Sequence, residues 1–117
     1  MLVCGGRDGV MEAACEGARE AGGTTVGLLP GNSRAEANRF VDIAIPTGMG
    51  EMRNALIVRT ADALVAIGGK WGTLSEVALA LQAGKPVFAV ESFELEGLVV
   101  CADGAEAAQR AIDTTLR

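Results

Sequence analysis

The residues able to do chemistry gather at two glycine-rich bends. The first is Gly5-Gly6-Arg7-Asp8-Gly9, and the second is Gly68-Gly69-Lys70-Trp71-Gly72-Thr73, followed by Glu76. Each bend leads from a short apolar run into a helical pattern. The first amides of a helix have no intrahelical acceptor and sit at the positive end of its dipole, so such a start can hold an anion. Glycines let the backbone come close to a bulky guest. Arg7 can clamp a phosphate or pair with Asp8. In the second bend Thr73 can aim its hydroxyl at an anion, and Lys70 is either solvated or a phosphate contact. Trp71, the sole tryptophan, is either a core plug or a wall for a planar ligand.

Plainer readings stand beside these. Gly-Gly-x-x-Gly is not the dinucleotide fingerprint, so it does not point to NAD, and any tight strand-to-helix turn favours glycine. Thr73-Leu74-Ser75-Glu76 fits a capping box, in which Thr73 and Glu76 satisfy helix-start amides reciprocally. Arg53, among Met52, Leu56 and Ile57 near the start of another helix, reads by itself as a snorkelling surface arginine.

The elements that must position these residues follow from periodicity. Residues 2–4 end a strand. The helix after the first bend places Val10, Met11, Ala14, Cys15, Ala18 and Ala21 on one face and closes at Gly22-Gly23. TTVGLLP is a buried strand, GNSRAEANRF is polar and irregular, and VDIAIP is a strand. Residues 50–60 form a helix and ADALVAI a strand. A third helix restarts at Thr73 with Leu74, Val77, Ala78 and Leu81 inward, and is closed by Gly84 and Pro86. PVFAV and residues 98–101 are further strands, and residues 104–117 a closing helix. Continuous apolar strands alternating with helices predict an α/β fold: a doubly wound parallel sheet covered on both faces, with ligands at the carboxyl ends of the strands.

At 117 residues the chain is expected to be one domain, 1–117, with no internal boundary. The first strand lies so near residue 1 that the sheet is expected to lack its first strand–helix unit. A bared edge or apolar groove would follow, and with it self-association or poor solubility. Three widely spaced cysteines, Cys4, Cys15 and Cys101, indicate neither a disulfide framework nor a zinc site and read as small buried hydrophobes. The absence of histidine argues against a metal hydrolase or a Ser-His-Asp triad, and no metal ligand is assigned. Fifteen acids against ten bases give a net charge of −5, the wrong sign for binding nucleic acid. No stretch approaches a membrane span and no signal peptide is evident, so cytoplasmic residence is the default.

Taken together, GGRDGVMEAACEGAREAGG, GEMRNALIVRTADALVAIGGKWGTLSE and GKPV resemble the Lonely Guy (LOG) family and its relatives over residues 3–90. That resemblance implies a Rossmann-like fold and homo-oligomers. The family signature is a helical arginine followed by P-G-G-x-G-T-x-x-E; its counterparts here are Arg53 and, in order, Gly69, Gly72, Thr73 and Glu76. Gly68 replaces the family's proline, Lys70 its second glycine, and Asn54 the lysine after the arginine. Arg53-Asn54 and the run from Trp71 to Glu76 are more similar to the branch of the molybdenum cofactor carrier protein.

The resemblance implies two functions of different class. One is a binding or carrier protein for a phosphorylated heterocycle, a nucleotide or a molybdopterin-type cofactor, held by Gly5, Gly6, Arg7, Gly9, Asn54 and residues 68–73. It requires no cofactor of its own. The other is a phosphoribohydrolase that cuts the N-glycosidic bond of a nucleoside 5′-monophosphate. There Glu76 would stabilise an oxocarbenium-like state or steer water, and Arg53 would hold the phosphate or base. A structural fragment without a ligand is the third reading.

Overall fold

The computed structural model describes residues 1–115. The chain divides into two compact units, Met1–Thr60 and a second that starts at Ala61.

The first unit contains β1 (Leu2–Cys4), α1 (Val10–Glu20), β2 (Thr25–Leu29), β3 (Ile43–Pro46) and α2 (Arg53–Thr60), with single 3-10 turns at Arg34–Glu36 and Gly50–Met52. Its sheet has the order β1-β2-β3 and is parallel throughout, with Val3 beside Val26 and Val26 beside Ile43. All five residues of β2 are buried, as a central parallel strand covered on both faces requires. On one face Val26 and Leu28 pack against Ile57, with Val3 and Leu56 around them. On the other, Gly27 lies so close to Gly6 that a Cβ at residue 27 would come within 2.9 Å of the Gly6 Cα.

Thr25, a fully buried polar residue, has its hydrogen bonds satisfied. Its Oγ1 donates to the Phe40 carbonyl at 2.6 Å and accepts from the Asp42 N–H at 2.8 Å, while its own N–H donates to Asp42 Oδ2 at 2.9 Å. These bonds fix the entry to β3. The expected continuous helix over 50–60 starts late: Gly50 takes φ 59, outside the right-handed helical region, and a 3-10 turn at Gly50–Met52 leads into α2 at Arg53. The face expected of α1 is narrower than drawn. Cys15 is its one buried residue, and Val10 is exposed.

The second unit contains β4 (Leu64–Ile67), α3 (Trp71–Gln82), β5 (Val87–Val90), β6 (Val99–Val100) and α4 (Gly104–Thr115). Its sheet has the order β4-β5-β6, again parallel. β5 is buried at every position, and Phe88, Val90, Cys101 and Ala107 form a core with Ala63, Val99 and Ala111. α3 begins at Trp71, two residues before the expected start, and buries Val77 and Ala80 while Ala78 is exposed. Leu74-Val77-Ala80 is as good a helical stripe as one through Ala78. Small alanines leave the choice to packing. The last two residues of the expected closing helix, 116 and 117, lie outside the described residues. Among the described residues no helix is long and apolar enough to cross a membrane.

Candidate functional site

In the first unit the chain turns from β1 into α1 through two buried glycines, Gly5 and Gly6, and then through exposed Arg7, Asp8 and Gly9. Gly6 and Gly9 have φ of 76 and 73, which favours glycine at both. Gly5 has no such backbone need. A Cβ there would fall 2.7 Å from Nη2 and 2.9 Å from Cζ of Arg53, so the guanidinium occupies the space a side chain would fill. Arg53 is the first residue of α2, and its Nη1 donates to Oδ1 of Asn54, which is 7% exposed. Asn54 therefore positions the guanidinium, and Arg53 is a half-buried, seated cation rather than a snorkelling one.

Arg7 points elsewhere. Its Nη1 lies 3.5 Å from Glu36 Oε2, so its ion-pair partner is Glu36 and not the neighbouring Asp8. The polar segment after β2 also braces the turn. The Asn38 N–H donates to the Gly6 carbonyl at 2.8 Å, and Asn38 Nδ2 donates to the Arg7 carbonyl at 2.7 Å. Sequence reasoning left Glu36 and Asn38 in an irregular stretch. The one available hint was an Asn two residues before Phe40, whose N–H binds the Asn38 Oδ1 in an Asx-type turn.

In the second unit β4 runs into Gly68 and Gly69, with φ of 58 and 118. Gly68 is pinned from both sides: its N–H donates to the Val90 carbonyl at 3.0 Å, and its carbonyl accepts from Ser92 Oγ at 2.6 Å. The Thr73 side chain packs on the bare Cα of Gly69, where a Cβ would meet Thr73 Cβ at 2.6 Å and Oγ1 at 2.9 Å. Lys70 is the N-cap of α3 and makes no side-chain capping bond. The amides of Trp71, Gly72 and Thr73 thus open the helix without intrahelical acceptors.

Two expectations change here. Thr73 stands inside the first turn of α3 and not at its cap, so Thr73 and Glu76 are out of register for a capping box. Trp71 is 83% exposed, which removes the core-plug reading. Glu76 is half-buried, one turn into α3. The first unit thus brings together Gly5, Gly6, Arg53 and Asn54, and turns Arg7 outward. The second brings together Gly68, Gly69 and Thr73, with Lys70, Trp71 and Gly72 exposed around them.

Parallel strands that turn through left-handed glycines into helix starts define an α/β protein. The SLOG cluster4 family model matches residues 1–115, and the chain belongs to that family. A protein of Archaeoglobus fulgidus, itself uncharacterised, is 41% identical over 118 residues, covering all of this chain and 78% of its own length. The molybdenum cofactor binding protein of the phototrophic bacterium Rippkaea orientalis superposes with a TM-score of 0.85 at 38% identity, over 97% of this chain and 76% of that one. The molybdenum cofactor carrier protein of Chlamydomonas reinhardtii gives 0.81 at 40% identity, over 97% and 76%. The fold is the Rossmann-like α/β fold of these proteins.

Proposed function

We propose that this chain binds and carries a phosphorylated heterocycle, a nucleotide or a molybdopterin-type cofactor, at its glycine-rich strand–helix turns. The observation behind this reading is the Arg53 guanidinium resting on the bare Cα of Gly5. A cation held by Asn54 beside helix-start amides is the donor set a phosphate needs: planar N–H groups with a fixed charge, and backbone dipoles. In the first unit Gly6 and Gly9 would admit a guest to the backbone. In the second unit, taken by itself, Gly68, Gly69 and Gly72 would do the same, Thr73 and Lys70 would add donors, and exposed Trp71 would offer its face to a heterocycle. Arg7, drawn to Glu36, would act at the periphery. Relatives that bind or carry the molybdenum cofactor at 38 to 40% identity support a carrier, and the same reading keeps the chain in the cytoplasm.

Titration calorimetry with AMP, GMP and a pterin phosphate tests this. Saturable binding of at least one is expected, with Arg53→Ala weakening it about tenfold to a hundredfold, the worth of a charge-assisted hydrogen bond. No heat from any of the three on folded protein overturns the reading.

One observation favours a second reading, an N-glycosidic phosphoribohydrolase. Glu76 lies one turn into α3, outside the register of a capping box, and its half-buried carboxylate would there stabilise a cationic sugar. Incubation with nucleoside monophosphates would then release free base and ribose 5-phosphate. Glu76→Gln is expected to cut that turnover about a hundredfold with folding intact. Unchanged turnover would remove Glu76 from the chemistry.

A further inference from the structure

Two of the three cysteines meet in the first unit. Cys4 is the last residue of β1 and Cys15 lies midway along α1, yet their sulfurs are 3.6 Å apart. Cys15 is fully buried, while Cys4 retains some exposure. Cys101 belongs to the core of the second unit. The Cys4 sulfur is also part of the first turn, since it accepts the Gly6 N–H at 3.3 Å immediately beside the glycine on which Arg53 rests.

We propose that Cys4 and Cys15 are a redox-sensitive pair that closes to a reversible intramolecular disulfide, stapling β1 to α1 across the first glycine turn. The sulfurs need to approach by about 1.5 Å to reach bonding distance, a shift that side-chain rotation with slight backbone adjustment supplies. The oxidant is a small disulfide such as oxidised glutathione. The partly exposed Cys4 loses its proton to solvent and its thiolate attacks one sulfur of the reagent. A Cys4–glutathione mixed disulfide forms and one glutathione thiolate leaves. Cys15 then attacks the Cys4 sulfur, forming the Cys4–Cys15 bond and expelling the second glutathione, whose departing sulfur takes up the proton that Cys15 loses. Two thiols are oxidised and one disulfide is reduced, so electrons balance.

Burial pushes the Cys4 thiol up to about 12, with the neighbouring Cys15 adding to the rise, while the Gly6 N–H and the Arg53 charge pull it down. The pair is therefore slow to react near neutral pH, because little of Cys4 is thiolate there. Because the thiolate is the nucleophile, the rate climbs about tenfold per pH unit from pH 7.5 to 10, where an ordinary exposed thiol levels off near pH 8.5.

The test uses the intact folded chain with oxidised glutathione, an acid quench, alkylation and tryptic mapping. Cleavage after Arg7 and Arg19 places Cys4, Cys15 and Cys101 on three different peptides. The expected product is a peptide spanning 1–7 joined to one spanning 8–19, two hydrogens lighter than the reduced pair and released by dithiothreitol. The Cys15→Ala variant should instead stop at the Cys4–glutathione adduct. Wild-type protein that gives only that adduct, stays unmodified, links either cysteine to Cys101, or cross-links only after denaturation overturns the proposal. The wild-type map decides by itself if the variant folds poorly. Its outcome does not depend on whether a phosphorylated ligand binds.

Discussion

Gly5 is a glycine because of what lies above it. Its φ is not in the left-handed region, so alanine would fit its backbone, but the Cβ would strike the Arg53 guanidinium at 2.7 Å. Gly5→Ala is therefore expected to displace the cation and weaken phosphate-ligand binding by about tenfold or more. Circular dichroism should show little loss of structure, and calorimetry reads the affinity. Unchanged affinity would mean that the guanidinium does not need its seat. Gly69 differs: with φ 118, and with Thr73 placed so that an added Cβ would meet it at 2.6 Å, it is constrained by backbone and packing together. The sequence marks both positions as glycines in a turn. It does not tell the two causes apart, because one is local and the other depends on a residue 48 positions away in the chain, Arg53 against Gly5.

At the scale of elements, the strand and helix order was legible, as were the starts of α1 and α4, but the starts of α2 and α3 were not. Thr73 looked like a cap because its side chain is right for one, but Gly68 and Gly69 adopt left-handed conformations that release the chain into α3 at Trp71. The strand entries are set by side chains that periodicity does not weigh. Asp42 accepts the Thr25 N–H, and this bond holds its carboxyl below the ordinary value, with Thr25 Oγ1 and Arg19 assisting against the cost of desolvation. A carboxylate depressed on folding stabilises the native state above the unfolded value of 3.8 and loses that contribution as pH falls through the folded one. Asp42→Asn should thus lower the denaturation midpoint at pH 7. The difference from wild type should shrink as pH falls below about 4. A constant difference from pH 7 to pH 2 would show that the carboxylate charge is not involved.

For the whole molecule, a net charge of −5 means that an anionic ligand must be held by local donors against the average field. The edge strands carry exposed apolar side chains: Ile43 and Ile45 on β3, and Val65 and Ile67 on β4. On that basis self-association is proposed, and light scattering should return a multiple of 11.9 kDa. A monodisperse monomer would count against it. Residues 1–117 are likewise proposed to unfold as one domain, which predicts agreement between calorimetric and van't Hoff enthalpies in differential scanning calorimetry. Two resolved transitions would assign separate stabilities to the units.

The sequence by itself determined what short-range pattern can encode: parallel strands alternating with helices, glycine bends at the strand ends, and the family to which they belong. Tertiary structure alone decided that Arg53 rests on Gly5, that Asn38 and Glu36 brace the first turn, that Trp71 faces outward and that Cys4 meets Cys15. Periodicity and turn chemistry are properties of adjacent residues. These contacts join residues far apart in the chain, and only packing the helices on their sheets brings such residues within a few ångströms.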